Sequence, residues 1–271
     1  MKKQVYTYTE LTDEVVDDKI DEPVIDASYK YVSHNWFYNF ITFIYFRLII
    51  FPVAFIYTKL IKRIKIVGAK KLKGVKKGGC FIYANHTLPA SDAFSPPVTC
   101  FPKKPYVIVN PKNLNVPFFK KSTKMLGALP LPTGLAATKN FMAAIDYRLK
   151  HNAPIVIYPE AKIWPYYTGI RPFPSTSFKY PSQFKTPIFT MTTTYQTTKR
   201  GRRKIVIYVD GPYNIDNSLN VKEQQERFYE QAVQSLNERA KLSTFITNEF
   251  VKIEGEDNGK AGSIEAKEEN N

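Results

Sequence analysis

The chain has 271 residues, 44% of them hydrophobic and 14% aromatic, with 39 Lys or Arg against 24 Asp or Glu and a formal net charge of +15. This length suits one medium domain with appendages and a full hydrophobic core. The positive balance predicts an anionic partner: a nucleic acid, acidic lipid headgroups, or a phosphorylated or CoA-like substrate. Two cysteines and three scattered histidines exclude a disulfide framework and a metal cluster built from them.

The first 30 residues are polar and acidic and lack an apolar core, so they do not resemble a secretory signal. We interpret residues 1–30 as a loosely ordered lead-in and expect the folded body to face the cytoplasm. Between Ala27 and Ile145 there are 18 Lys or Arg and a single carboxylate, Asp92. This stretch predicts an electropositive surface, which is either a solvated basic face or, given the aromatic segment beside it, a membrane-facing one.

The sequence from Trp36 to Ile61 is the most apolar and aromatic part of the chain. It exceeds the roughly 20 apolar residues that a spanning helix needs, but Arg47 near its middle would cost roughly 2.5–3.5 kcal/mol in a span. Its Trp and Tyr side chains suit the headgroup level. We therefore favour a helix or short hairpin lying in one leaflet over a spanning helix, and a buried core helix is the remaining alternative. Nine basic residues and no acid follow between Lys59 and Lys77, and an apolar anchor beside a polybasic run predicts attachment to an anionic membrane surface.

Residues 64–252 alternate short apolar runs with amphipathic stretches. Five runs are β-branched or aromatic and bounded by Pro, Gly or Lys, as buried strands are; they are GCFIYANH, KPYVIVN, APIVIYPE, PIFTMTTTY and KIVIYVDG. Helical patterns lie at Lys120–Met125, Ala136–Lys150 and Asn220–Leu242. This alternation predicts an α/β domain with a mixed, largely parallel sheet flanked by helices. Residues 31–63 then form a membrane-anchoring segment, and residues 253–271, mostly charged or small, are expected to be disordered.

The run CFIYANHTLPASDAF leads a buried strand directly into Asn85 and His86. Pro89 disfavours a helix through that point, so residues 87–91 are expected to form a turn. A histidine at a strand end lies at the rim of the sheet, where α/β domains place their chemistry. Across the turn, the carboxylate of Asp92 can reach the imidazole and hold it as a general base. The alternative is structural: Asp92 caps the next helix or pairs with a lysine, and His86 packs at the strand end.

The segment NHTLPASD resembles the first motif of the glycerolipid acyltransferases, the family of 1-acylglycerol-3-phosphate acyltransferases, in which four residues separate a His from an Asp. Four further segments are similar to later blocks of that family and occur in the family's order: KNLNVPFFKKSTKMLGALPL, YPEAKIW, STSFKYPSQFKTPIFTMTT and VDGPYNI. The resemblance covers roughly residues 65–242. The family often carries an N-terminal membrane-binding hairpin, which agrees with the interpretation of residues 36–61.

The sequence departs from the family pattern at three points. Five residues separate His86 from Asp92, and Ser91 occupies the usual Asp position. Ala-Lys-Ile at residues 161–163 replaces the Gly-Thr-Arg of the third block, and the second block ends in Leu-Pro-Thr where an Arg would stand. In the family those arginines hold the phosphate of the acceptor, a role that suits the bidentate guanidinium fork.

The resemblance implies a mechanism in which His86 takes a proton from the acceptor hydroxyl while that oxygen attacks an acyl thioester on CoA or acyl carrier protein. Asp92 would orient the ring, and no acyl-enzyme, metal or cofactor would be needed. Glu160 matches its block and would organise the site of the acceptor, a lysophospholipid or glycerolipid, with a structural cap as the alternative. Lys162, as a point charge, and Arg171, as a displaced partner, are the candidates for binding the acceptor in place of the missing arginines, although neither is equivalent to them. The remaining residues that the resemblance implies, on the donor side or structural, are Asn85, Lys112, Gly127 and Pro159.

The expected partners are therefore an anionic membrane surface, an acyl thioester donor and a lysolipid acceptor, with no nucleic acid. The expected location is the cytoplasmic face of a membrane. Two alternatives stay open on the sequence: a catalytically silent membrane scaffold of the same fold, and a basic nucleic-acid-binding protein.

Overall fold

The structure, a computed structural model, describes residues 3–16, 21–75, 78–115, 122–254 and 263–264. Within these ranges the strands are β1 (Val5–Tyr8), β2 (Lys65–Val67), β3 (Cys80–Ala84), β4 (Tyr106–Val109), β5 (Ala128–Pro130), β6 (Pro154–Ile157), β7 (Ile188–Thr197), β8 (Arg203–Tyr213), β9 (Glu249–Lys252) and β10 (Ser263–Ile264). The α-helices are α1 (Trp36–Tyr45), α2 (Phe51–Phe55), α3 (Ser91–Thr99), α4 (Thr123–Leu126), α5 (Leu135–Lys150), α6 (Lys179–Phe184) and α7 (Val221–Ala240).

The central sheet has seven strands in the order β2-β8-β7-β3-β6-β4-β5. Strands β7 and β8 pair antiparallel, and the other neighbours pair parallel. The prediction of a mixed, largely parallel sheet flanked by helices is confirmed, and each of the five predicted strand segments contains a strand. Because parallel strands end at the same edge of a sheet, the segments that follow β3 and β6 emerge side by side at the carboxyl edge.

The middle strand, β3, is buried on both faces of the sheet. Its side chains alternate between the faces. Phe81 and Tyr83 pack into one apolar cluster together with residues of α5 and α7, such as Phe141 and Phe228. Cys80, Ile82 and Ala84 pack into a second cluster on the other face. Two covered faces explain why β3 is a continuous apolar run rather than an alternating one.

The apolar segment forms one continuous helix, Trp36–Ile61, which we call the anchor helix. It consists of α1 and α2 with π-helical stretches at Phe46–Ile50 and Ile56–Ile61. It is therefore a helix and not a hairpin, and at 26 residues it is long and apolar enough to cross a membrane by length and composition. Its exposed apolar side chains run from Trp36, which is 75% exposed, to Ile61, which is 64% exposed. Little of its surface is covered by the domain, so it is not a buried core helix.

The N-terminal residues are more ordered than we expect from the sequence. β1 pairs in parallel with β9 and antiparallel with β10 in a separate three-stranded sheet, with Val5 opposite Glu249. Tyr6 and Val15 are buried in a third apolar cluster around Trp164. The expectation of a loosely ordered lead-in is wrong for the described part of residues 1–30, because its few apolar side chains find partners far along the chain.

The other differences from prediction concern short elements and chain ends. β2 and β5 have three residues each, too few to show a period. The helix predicted at Lys120–Met125 is described only from Ser122 onward, with α4 beginning at Thr123, since residues 116–121 lie outside the described ranges. Of the tail predicted to be disordered, 253–254 and 263–264 are described, and β10 is paired to β1; the rest of that prediction lies outside the described residues.

Candidate active site

The turn that follows β3 is held by hydrogen bonds to β7 and to the segment after β6. Asn85 is buried and bonds the backbone of Thr193 on β7 twice: its Nδ2 donates to the carbonyl at 3.1 Å and its Oδ1 accepts from the N–H at 2.8 Å. From the segment after β6, the N–H of Trp164 donates to the carbonyl of His86 at 3.1 Å. Asn85, predicted as a residue near the site, thus tethers the turn and holds the backbone of His86 in place.

The structure brings His86 and Asp92 together across this turn. His86 Nδ1 and Asp92 Oδ2 are 2.7 Å apart. The same Oδ2 accepts the backbone N–H of Leu88 at 3.0 Å, so the carboxylate is held by the turn itself. The His86 side chain is 23% exposed and that of Asp92 6%. With Nδ1 bonded to the carboxylate, Nε2 is the nitrogen left to accept a proton, which is the geometry of an oriented general base.

The extra residue between His86 and Asp92 is absorbed by an unusual backbone conformation. Ala90 has φ +57°, a region that non-glycine residues adopt rarely, and α3 begins immediately after it. Ser91, at the usual Asp position of the family, is buried, and its Oγ makes no hydrogen bond to the described residues. The extra residue thus places the carboxylate of Asp92, not the hydroxyl of Ser91, against the imidazole.

Tyr158 is a site residue that the sequence analysis did not select. Pro96 lies inside α3, and since proline has no N–H, the carbonyl four residues earlier, that of Asp92, receives no helical hydrogen bond. The hydroxyl of Tyr158 donates to that carbonyl instead, at 2.6 Å. Its ring lies 4.7 Å from the ring of His86. Burial, followed by the nearby charge of Asp92, raises the pKa of Tyr158 well above its usual value, so the hydroxyl remains a donor.

Glu160 and Arg171 form an ion pair in the interior, with Nη2 to Oε2 at 3.2 Å and side chains 0% and 1% exposed. Glu160 Oε2 also accepts the backbone N–H of His86 at 3.3 Å, and Oε1 accepts that of Arg171 at 3.2 Å. Burial raises the pKa of Glu160, and the charge of Arg171 opposes that rise. Arg171 also donates to the carbonyls of Lys162 and Leu11, and its guanidinium lies 5.0 Å from the Trp164 ring centre.

This burial leaves neither Glu160 nor Arg171 free to meet a solvent-borne phosphate, although both were predicted to lie in the acceptor site. Instead, the pair holds the backbone of His86 and the segment after β6. Lys162 differs, because its side chain is 42% exposed and its Nζ lies 3.5 Å from Glu14. It is therefore the predicted acceptor-side cation that solvent can reach.

Of the remaining predicted residues, one belongs to the turn after β6 and two lie elsewhere in the domain. Pro159 stands between Tyr158 and Glu160 in the turn after β6. Gly127 ends α4 with φ +101°, and a Cβ there would meet the carbonyl of Pro105 at 2.6 Å, so its role is close packing. Lys112 lies in the short 3₁₀ helix Pro111–Asn115 after β4. The described contacts of Lys112 do not indicate that it binds a ligand.

Comparisons with known proteins identify the family of the domain and its fold. The family model described as Acyltransferase matches residues 63–194, which include all of the site above. The fold is similar to the crystal structure of the 1-acyl-sn-glycerophosphate (LPA) acyltransferase PlsC from Thermotoga maritima, with a TM-score of 0.50 and 14% identity, covering 75% of this chain and 88% of that chain. At that identity the likeness concerns the fold. A search of the curated proteins finds no match. The matched family model shows that residues 63–194 form an acyltransferase domain, which makes this chain an acyltransferase.

Proposed function

We propose that this protein transfers a fatty acyl group from acyl-CoA or acyl carrier protein to the free hydroxyl of a lysolipid of the 1-acylglycerol-3-phosphate type, as a step of phospholipid biosynthesis. The observation that carries the proposal is the 2.7 Å contact between His86 Nδ1 and Asp92 Oδ2 at the carboxyl edge of the sheet. It leaves a partly exposed, oriented imidazole within an acyltransferase-family domain.

In the proposed mechanism, Nε2 of His86 accepts the proton of the acceptor hydroxyl as that oxygen attacks the thioester carbonyl. The carboxylate of Asp92 stabilises the imidazolium that results. When the tetrahedral intermediate collapses, the C–S bond breaks and the imidazolium returns its proton to the leaving thiolate. The products are the ester and the free thiol, with no acyl-enzyme.

The supporting residues are proposed to position His86 and Asp92 and not to contact the substrate. Tyr158 holds the Asp92 end of α3, while Glu160 and Arg171 hold the backbone of His86. Lys162 is the proposed acceptor-side cation, acting as a point charge where the family has a guanidinium fork. We propose that acceptor selection relies on this weaker contact and on the membrane.

The proposed location is the cytoplasmic face of a membrane, with the anchor helix in contact with lipid. The support is the row of exposed large apolar side chains along Trp36–Ile61. An exposed apolar patch of this size is unfavourable in water and typical of a membrane or protein interaction surface. The basic run that begins at Lys59 adds attraction to anionic lipid. Lys76 and Lys77, at the end of that run, lie outside the described residues.

The test is acyl transfer by the purified full chain with acyl-CoA and a panel of lysolipids that differ in headgroup, following release of the CoA thiol. We expect His86→Ala to lower turnover by about 10²–10⁴-fold, the usual contribution of a general base. His34→Ala is the matched control, because His34 is exposed and lies against Tyr147, away from the turn. A folded His86→Ala protein with full activity would exclude the proposed base, and no transfer to any lysolipid would exclude the proposed acceptor class.

A further inference from the structure

A cationic pocket lies at the opposite edge of the sheet from His86. Its volume is about 230 Å³, and it opens between the segments that precede β4 and β6. Cys80 at the start of β3 is in register with Pro154 at the start of β6. His86 is six residues beyond Cys80, so roughly 20 Å of extended chain separates the pocket's edge from the catalytic turn. The pocket therefore belongs to a different part of the domain from the proposed active site.

Basic side chains dominate the lining of this cationic pocket, which we define by Arg47, Lys103, Lys104, Arg148 and His151. None of the nine described residues that line it is acidic. Like charges in one cavity repel one another, and the repulsion grows as water is excluded. An anion bound among them would remove that repulsion.

No carboxylate among the described residues pairs with Lys104 or Arg148. The ammonium of Lys104 donates to the carbonyl of Met125 at 2.5 Å, and Arg148 Nη2 donates to that of Tyr31 at 3.4 Å. The ammonium of Lys104 lies 5.2 Å from the Phe46 ring centre and 5.3 Å from that of Tyr106. Burial, with a further contribution from Arg148, lowers the pKa of Lys104 to about 7. The guanidinium of Arg148 lies 4.3 Å from the Tyr106 ring centre, and its Nε is buried with no hydrogen-bond partner among the described residues. A buried N–H without an acceptor is costly, and a ligand that reached this donor would offset that cost.

The cationic pocket adjoins the anchor helix. Arg47 belongs to that helix and donates to the carbonyl of Pro102, and its guanidinium lies over the ring of Phe101 at 5.3 Å. α1, directly before it, has no buried residue. A lipid beside α1 would thus have its acyl chains against an exposed apolar helix and its headgroup near five cationic or titratable side chains.

We propose that the cationic pocket binds the phosphate group of an anionic membrane phospholipid and so orients the domain on the membrane. The volume is below the ~300–1,000 Å³ of pockets for drug-sized ligands and suits a phosphate with its adjoining atoms. This proposal rests on the membrane association proposed above, which brings the pocket close to lipid. It does not depend on the proposed chemistry at His86.

The test compares the full chain with a Lys104→Met, Arg148→Met double variant and a matched Lys139→Met, Lys150→Met control, which removes two exposed charges from α5. Binding is measured by flotation with vesicles of phosphatidylcholine alone and of phosphatidylcholine mixed with phosphatidylglycerol. Because a basic residue near an anionic bilayer contributes about 1 kcal/mol, losing two from a headgroup site should lower the preference for anionic vesicles by about 30-fold. The control should lose much less. An equal loss in both double variants would overturn the assignment.

A second measurement separates lipid from free phosphate. The melting temperature of the detergent-solubilised protein is followed with inorganic phosphate and with chloride at equal ionic strength. A phosphate-specific rise that the pocket variant lacks supports recognition of phosphate by the pocket, and a rise that it retains contradicts it. If that rise is lost but vesicle preference is unchanged, the ligand is a soluble phosphate and the lipid assignment is wrong.

Because Arg148 packs on Tyr106, Lys103→Met serves as a milder variant should the double variant not fold. It should lower the preference for anionic vesicles more than Lys139→Met does, and an equal effect would count against the pocket. Acyl transfer in detergent is assayed in parallel. An inactive wild-type protein with the expected vesicle result would refute the proposed function and leave the lipid site supported.

Discussion

Replacement of Asp92 by Asn tests the charge of the carboxylate separately from its geometry. The two hydrogen bonds of this side chain, to His86 Nδ1 and to the N–H of Leu88, end on the same oxygen, Oδ2. The amide oxygen of Asn can accept both, so the turn should stay intact. The variant then lacks only the negative charge that stabilises the imidazolium during proton transfer. Two unit charges about 4 Å apart at an effective dielectric constant of ~20 interact by about 4 kcal/mol.

That energy corresponds to a loss of about 10³-fold in turnover for Asp92→Asn. Turnover is followed by release of the CoA thiol, and thermal unfolding verifies that the variant is folded. Ser91→Ala is the matched control at the neighbouring position. Since the Oγ of Ser91 is buried with no partner among the described residues, its loss should leave turnover unchanged. A folded Asp92→Asn protein with activity close to wild type would refute the pairing, and so would a collapse of activity in Ser91→Ala.

Three further substitutions test the parts that support this pair. Tyr158→Phe removes the hydroxyl that donates to the carbonyl of Asp92. The free energy of unfolding should therefore fall by about 1–3 kcal/mol, and kcat should fall by a larger factor than KM changes. Unchanged stability and unchanged kcat would contradict this role. Ala90→Gly should raise the free energy of unfolding by about 1 kcal/mol, since glycine adopts a positive φ without strain. The control is Ala93→Gly at an exposed position of α3, which should lower the free energy of unfolding by about 1 kcal/mol. If both substitutions changed the free energy of unfolding in the same direction, the backbone of Ala90 would not be strained. Glu160→Gln leaves Arg171 buried without a counter-charge and should cost about 3–5 kcal/mol in denaturant unfolding. Adding Arg171→Met should recover part of that loss, and strictly additive losses would contradict a coupled pair.

The elements that the sequence predicts well are those whose signal is local. β3 and its neighbours are short apolar runs bounded by turn residues. α7 has a clear amphipathic period and begins with a capping box between Asn220 and Glu223. His86 follows from its position at the end of a buried run, because a strand end in an α/β sheet is exposed at the rim. These features need no knowledge of the rest of the chain.

The features that we did not predict from the sequence mostly depend on contacts between residues that are far apart in the chain. β1 pairs with β9, about 240 positions away, and its four residues carry no period of their own. The burial of Arg171 results from Glu160, Trp164 and the carbonyl of Leu11 together, and only the first of these has the charge that would suggest a pair. For Tyr158 a local signal did exist. A proline six residues into α3 leaves a carbonyl without a donor, and a tyrosine at the end of the neighbouring strand can supply one.

The network around Glu160 bears on how this chain can recognise its acceptor. A guanidinium binds phosphate well when its N–H groups point outward as a fork, but Arg171 directs its Nη groups to Glu160 and to the carbonyls of Lys162 and Leu11. The N-terminal segment closes over the same place, with the indole N–H of Trp164 bonded to the carbonyl of Asp13 at 2.9 Å. Lys162, in the same segment, is partly exposed but has no planar fork. Discrimination between lysolipid headgroups should therefore be weaker here than at a site with two free arginines, and a flat activity profile across the lysolipid panel is the expected consequence.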